Sequence, residues 1–413
     1  MLFAPHRLRL EADRVDDIEG RVRQSLSDVL GGTRPPDRIA VACGSRNITD
    51  LVPIVSSLVR GLHERGYRPF LVPAMGSHGG ATSAGQRELL EELGLTEERL
   101  DVPIRSSMEV EKVGETAQGL PVYWDREALA ADGVIVVNRV KPHSTLHPPL
   151  GSGLKKMIAI GLGKQKGAET LHRARLQDHL RPVAALLLER APILGGIAIV
   201  ENGCGQTAWI EGVPRQTLLD RDDQLLETAR AYLPHLPLLP LDVLVIRQVG
   251  KNISGTGMDP NVIGRHRRHG GQADVDIATI VALHLTPESH GNATGIGMAD
   301  LITERLQRAI DWKATSTNCL TGQFVQGMRL PYAFPSDRDA IAAALNLCPD
   351  PGRARCMVIE DTAHLETIYV SESLAGEAKE NPSLEPMAPF TQLAFGLDGG
   401  LAWPPSLDPR KEA

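Results

Sequence analysis

At 413 residues, 42% of them hydrophobic and 23% charged, the chain has the composition of a soluble globular protein too long for a single core. A scale of roughly 150 residues per domain predicts two or three domains. A formal charge of −7 argues against a nucleic-acid surface, and no apolar run approaches the ~20 residues that a membrane span needs.

The segment Met1 to Glu11 carries two arginines and no apolar stretch of signal-peptide type, so no secretory leader is expected. Arg38 to Cys43 (RIAVAC) predicts a buried strand, followed by the turn Gly44-Ser45-Arg46 and a helix over 48–66 with apolar residues at helical spacing. Arg68 to Pro73 predicts a second strand that runs into the loop Ala74 to Thr82, where Thr82 suits a helix cap and Gly94 a helix stop. A third strand, Gly133 to Asn138, leads into a glycine- and lysine-rich passage. A helix around 183–189 precedes a fourth strand, Gly196 to Glu201. Such alternation implies a mostly parallel sheet with right-handed crossovers, and its ligand crevice lies beyond the carboxyl ends of the strands. After the proline-broken stretch Leu233 to Pro240, the strand Asp242 to Arg247, the loop Gly250 to Arg265 and the strand Asp276 to Leu283 begin a second alternating unit. The expected organisation is an N-terminal α/β domain of residues 1–237, a C-terminal α/β domain of 238–380 and a proline-rich tail, 381–413. The five cysteines are an odd number without CxxC spacing, which predicts reduced thiols and a cytoplasmic protein.

Chemistry-bearing residues gather at the predicted strand exits. His143 follows Pro142, which keeps its predecessor extended, and an imidazole on such a loop suits general base work. His147 is a weaker candidate, walled in by prolines. His78 leaves a different strand between Gly76-Ser77 and Gly79-Gly80, where glycines let a ligand approach the backbone and stacked amides hold an anion. Ser152-Gly153 precede Lys155 and Lys156; a lysine beside glycines and an apolar wall serves as nucleophile, anchor or phosphate clamp. His172 follows Lys156 by sixteen residues on a predicted helix. The basic cluster Arg265, His266, Arg267, Arg268, His269 reads as a solvated loop or an anion site. HExxH and HxxEH are absent, so a metal here needs most of its donors from something other than side chains.

Residues 72–82 (VPAMGSHGGAT), 138–164 (NRVKPHSTLHPPLGSGLKKMIAIGLGK), 167–174 (GAETLHRA) and 250–265 (GKNISGTGMDPNVIGR) resemble the nickel-dependent lactate racemase superfamily, in a branch outside the lactate racemases themselves. The resemblance spans about residues 35–375. It implies two α/β domains with the active site in the crevice between them, holding a nickel-pincer nucleotide tethered through a thioamide. By motif, Lys156 is similar to the tethering lysine, His172 to the one protein ligand of nickel, and His78 and His143 to the two catalytic bases. Gly76, Ser77, Gly79, Ser152, Gly153 and Arg46 fall where cofactor contacts are implied. The implied chemistry moves the α-hydride of a 2-hydroxy acid, or a sugar acid, to the cofactor's pyridinium ring and returns it on the other face, one histidine serving each enantiomer. A substrate carboxylate needs a cationic clamp, for which Arg265, Lys251 and Arg46 are candidates.

The chain departs from the family in three places. The Asp-x-x-Arg element has no clean match in Gly44 to Asp50. The segment Ser144 to Pro149 replaces an acid, an arginine and a glycine. The substrate-binding lysine and glutamine have no counterpart, and Glu288 to Asn292, including His290, is the candidate replacement. The resulting expectation is a racemase or epimerase acting on a small molecule, with neither nucleic acid nor membrane as partner and room for a homo-oligomer. The alternatives are a non-catalytic cofactor- or ligand-binding homologue and a lysine-imine enzyme acting on a keto acid.

Overall fold

The structure, a computed structural model, describes residues 1–10, 13–31, 38–46, 48–144, 150–265 and 276–403. Asn47, the segment 145–149 with His147, and His266 to His269 lie outside the described residues. The chain divides into two compact units, one of residues 11–232 and the other of residues 1–10 with 233–413.

Strand β1 (Phe3–Leu8) opens the chain. The unit of residues 11–232 is built on β2 (Arg38–Cys43), β3 (Arg68–Pro73), β6 (Gly133–Arg139), β7 (Ile193–Glu201) and β8 (Thr207–Pro214), with a separate hairpin of β4 (Val110–Glu115) and β5 (Pro121–Asp125). The sheet order is β3-β2-β6-β7-β8, parallel except for the last pair. Side chains alternate across a strand, and here both faces are apolar. Ala40, Ala42, Phe70, Val72, Val134 and Val136 enter a core with the helices Leu176–Arg190 and Leu218–Ala231. Their neighbours Ile39, Val41, Leu71, Ile135 and Val137 enter the opposite core, with Ile18–Leu30 and Leu51–Glu64. This two-sided burial is the physical reason a parallel sheet reads as a continuous apolar run.

The second unit holds β9 (Leu241–Val249), β10 (Ile277–Leu285), β11 (Leu301–Thr303), β12 (Tyr332–Phe334), β13 (Cys356–Ile359), β14 (Thr367–Ser371) and β15 (Leu384–Pro386). With β1 they form an eight-stranded sheet, order β12-β11-β10-β9-β13-β14-β1-β15, parallel through its first five strands and antiparallel beyond.

The architecture is thus α/β with mostly parallel mixed sheets, and two expectations about boundaries change. The division falls after Tyr232, not near 237, because Leu236 and Leu238 are buried in the second unit's core. The first ten residues leave the expected N-terminal domain: β1 satisfies its backbone groups between β14 and β15 of the other unit. The same pairing draws in the proline-rich tail, with Phe3 and Thr391 exchanging backbone bonds at 2.7 and 2.8 Å and Trp403 packing at a tilt against Tyr369. No helix among the described residues is long and apolar enough to cross a membrane.

One contact fixes how the helix Ile18–Leu30 meets β8. At Gly212 an added Cβ would stand 1.9 Å from the carbonyl oxygen of Ser25, so the two backbones touch where only glycine fits. Gly212→Ala is therefore expected to cost about 1–3 kcal/mol through overpacking, lowering the urea midpoint; an unchanged midpoint would refute the contact.

Candidate functional site

In the unit of residues 11–232, the carboxyl ends of four parallel strands bring their exit loops to one edge. The loop after β2 meets the loop after β3: Ala74 donates its N–H to Cys43 at 2.7 Å, and the Ser45 hydroxyl contacts Nδ1 of His78. That contact orients the imidazole through Nδ1. Gly76, Gly79 and Gly80 all have positive φ around Ser77 and His78, a backbone course that glycine allows at little cost. After β6, Val140 bonds Ile199 at 2.7 Å and leads through buried Pro142 to half-buried His143. Arg139 pairs with Glu201 at the end of β7, and Glu201 also accepts the Thr49 N–H at 2.8 Å.

Across this edge lies the passage that carries the lysines. Lys141 and Ser152 exchange both backbone hydrogen bonds at 2.9 Å, and Asn138 Nδ2 donates to the Gly153 carbonyl at 2.9 Å. A short helical turn, Leu154–Lys156, passes into a π-helix, Met157–Gly161, and then into the helix Lys164–Arg173 that bears His172 in its last turn. A π-helical turn is rare and frequent at functional sites. The Trp124 indole, fully buried, donates to the Ile158 carbonyl at 2.8 Å, and Gly76 donates to Gly161 at 3.0 Å. Lys164 is also fully buried and reaches Pro73 O at 2.5 Å, Gln86 Oε1 at 2.9 Å and Asp125 at 3.3 Å. Gln86 in turn donates to the carbonyls of Gly76 and His78 at 2.9 and 3.3 Å, so the buried ammonium braces the His78 loop through one amide.

The two adjacent lysines differ sharply. Lys155 is buried against carboxylates, paired with Asp223 and 3.7 Å from Asp222. Lys156 has no carboxylate partner among the described residues. Burial, with repulsion from Arg46 and Lys141, pulls its amine down to about 7. Arg46 has no hydrogen-bond or carboxylate partner among the described residues; partial loss of solvent around its guanidinium and then the charge of Arg139 lower its pKa. Burial likewise lowers Lys164 and raises Asp125, and their mutual attraction offsets part of each shift.

This edge therefore unites Arg46, Gly76, Ser77, His78, Gly79, His143, Ser152, Gly153 and Lys156, with His172 on the helix that continues the lysine passage. Gln86, Asp125, Asp222 and Trp124 were missed as supports. They lie in other elements, and only their approach in space links them to the motifs. Among the described residues, no group of three or more His, Cys, Asp or Glu is arranged to hold a metal ion.

Lys251, Arg265 and His290 belong to the other unit. Arg265 does not suit the expected carboxylate clamp. Its guanidinium is buried, salt-bridged to Asp300 at 2.5 Å, and donates to the carbonyls of Met298, Ile277 and Ala278 at 3.3, 2.6 and 2.9 Å. Those bonds consume the donors a bidentate clamp requires. The Lys251 ammonium donates to Gly255 O and Asn318 Oδ1, both at 2.7 Å. His290 is exposed in the left-handed region at φ 46°, and the neighbouring Ser289 hydroxyl accepts the Lys251 N–H at 2.8 Å. The cysteines are free thiols: Cys43, Cys319 and Cys356 are buried, and burial pushes the Cys43 thiol up to about 12.

Residues 34–182 match the family model of the lactate racemase N-terminal domain. The chain is similar in structure to the lactate racemase apoprotein from Thermoanaerobacterium thermosaccharolyticum, with a TM-score of 0.53 at 12% identity over 86% of this chain and 93% of that one. A crystal structure of a protein from Thermotoga maritima matches at a TM-score of 0.49 and 16% identity, over 67% of this chain and 73% of that one. No curated protein matches significantly. Residues 34–182 are thus similar to the lactate racemase N-terminal domain, and the chain shares the α/β fold of that apoprotein.

The setting of Lys156 has a measurable consequence. Below about pH 7 its amine is charged in the folded and unfolded states alike, and the folded state bears the cost of burial. Between about 7 and the ordinary lysine value of 10.5 only the unfolded chain holds the proton, so stability rises with pH across that window. Lys156→Met is expected to raise the melting temperature most at or below pH 7, with the gain shrinking toward pH 10. A gain independent of pH would contradict the lowered amine.

Proposed function

We propose that the chain is a racemase or epimerase of a 2-hydroxy acid, possessing a lysine-tethered nickel-pincer nucleotide. The observation that carries this reading is the contrast between Lys155, held by carboxylates, and Lys156, an amine near neutrality among Arg46 and Lys141. An amine with a pKa of about 7 is about half unprotonated at neutral pH, and that fraction reacts as a nucleophile, while the surrounding cations favour an anionic, phosphate-bearing group. The residues fit the cofactor in a second respect. A single half-buried histidine, His172, offers one metal donor, and a metal here takes its remaining donors from a bound group.

In this reading Lys156 holds the nucleotide, His172 supplies the protein ligand to nickel, and Arg46 with the amides around Gly76, Ser77, Gly79, Ser152 and Gly153 meets its polar parts. Bound there, the cofactor supplies the electrophile that takes up and returns the substrate's α-hydrogen. The protein's own work is proton transfer and orientation. One imidazole, His78 or His143, removes the proton of the substrate hydroxyl as the C–H bond breaks, and the other delivers a proton to the oxygen of the opposite enantiomer. Two bases are needed because the enantiomers direct their hydroxyls differently. Ser45 holds the His78 ring for this task. Lys251 and His290 are the remaining candidates for the substrate carboxylate, Arg265 being spent. The proposed setting is cytoplasmic.

The spent guanidinium of Arg265 favours a second reading, a homologue that binds the nucleotide without turnover. Protein produced together with the cofactor-synthesis machinery separates the two. The proposal expects stoichiometric nickel, a covalent mass increase on the Lys156 peptide, and racemisation of an α-deuterated 2-hydroxy acid with retention of the label. His78→Gln and His143→Gln are each expected to reduce turnover by about 10²–10⁴-fold. A modified Lys156 without exchange of any 2-hydroxy acid would establish the binding homologue. An unmodified Lys156 that borohydride traps with a keto acid would replace both readings with imine chemistry.

A further inference from the structure

The proposed tether needs one of two adjacent amines, and the structure supplies a device that chooses. Asp222, on the helix Leu218–Ala231, is buried; its Oδ1 accepts the Leu154 N–H at 2.8 Å and its Oδ2 the Lys155 N–H at 3.4 Å. The first N–H groups of a helix have no partner within it, and here a side chain 68 residues further along the chain provides the cap. Gly153 makes the approach feasible, since a Cβ there would come within 2.3 Å of Asp222 Oδ1. The same carboxylate lies 3.7 Å from the Lys155 ammonium, which pairs with Asp223. Arg181 closes the group, bonding Asp223 and Asp220 at 2.5 Å each. Successive helical side chains point about 100° apart, so drawing Lys155 toward Asp222 and Asp223 turns Lys156 to another face, where its charged neighbours are Arg46 and Lys141.

We infer that Asp222 and Asp223 are a positioning pair that selects Lys156 over Lys155 as the reactive amine. Asp222 fixes the start of the helical turn, and the two carboxylates together hold the Lys155 ammonium in place. The purpose of the selection rests on the tether reading; the selection itself belongs to the chain without any cofactor. It can be read with a simple acyl donor. In acetylation by acetic anhydride, the lone pair of an unprotonated amine attacks a carbonyl carbon, a C–N bond forms, acetate leaves and the amine gives up one proton.

Full-length protein treated with limiting acetic anhydride at pH 8, with sites resolved by peptide fragmentation in the mass spectrometer, is expected to acetylate Lys156 at least roughly tenfold faster than Lys155, the ratio of one pKa unit. The double variant Asp222→Asn with Asp223→Asn is expected to raise the Lys155 rate roughly tenfold. Asp222→Asn alone keeps the Lys156 rate, because its one amide oxygen still accepts the shorter of the two bonds, from the Leu154 N–H, whereas Asp222→Leu lowers it. Equal rates for the two lysines in the wild type would overturn the inference. So would a Lys155 that stays slow in the double variant, since burial alone would then account for its silence. Where the double variant does not melt cooperatively, Asp223→Asn alone, at a half-buried position, carries the same expectation and the same failure. A cofactor-loaded preparation lacking mass on Lys156 would remove the tether and leave this selectivity intact; equal acetylation would do the reverse.

Discussion

The buried ammonium of Lys164 is the tie on which the site depends. It stands where the π-helical turn gives way to the helix bearing His172, and it joins the end of β3, the amide of Gln86 and the carboxylate of Asp125. Removing one partner from such a pair typically costs about 3–5 kcal/mol, because an uncompensated charge is left inside. That energy holds together three stretches distant in sequence. Gln86 carries the tie onward to the carbonyls of Gly76 and His78, so the loop of one proposed base is braced by the helix of the proposed metal ligand.

Charge is partitioned around that frame with a consistent sense. Lys155 is compensated by carboxylates, Lys164 by a carboxylate and two oxygens, and Arg139 by Glu201. Lys156 and Arg46 have no such compensation among the described residues. A site that neutralises its structural cations and leaves others uncompensated at strand ends is prepared for an anion. The π-helical turn between them is fastened by Trp124 and Gly76, which places the unusual backbone within a bonded setting.

Much of this was legible in the chain itself. Strands β2 and β3 have the predicted bounds, because a continuous apolar run between a basic residue and a turn is a local property. The Thr82 cap is likewise local, its hydroxyl accepting the Gly85 N–H at 3.0 Å. The candidate histidines and lysines were found because each follows a strand or a glycine turn, and strand exits are where parallel sheets present ligands. Arg265 shows where this reasoning stops: an arginine in a glycine loop has the same local signature whether it faces a ligand or is buried against Asp300.

The amino-acid sequence by itself determined the α/β class, the four parallel strands of the first sheet and the residues that crowd its carboxyl edge, since these follow from periodicity and turn chemistry within short windows. Only the tertiary structure decided that the first ten residues complete the sheet of the other unit, that Gln86 and Asp125 serve Lys164, and that Asp222 distinguishes Lys155 from Lys156. Each of these is a pairing between residues far apart in the chain. Its stability comes from burial of a charge or of a backbone donor against one particular partner, and no spacing in the sequence records which partner that is.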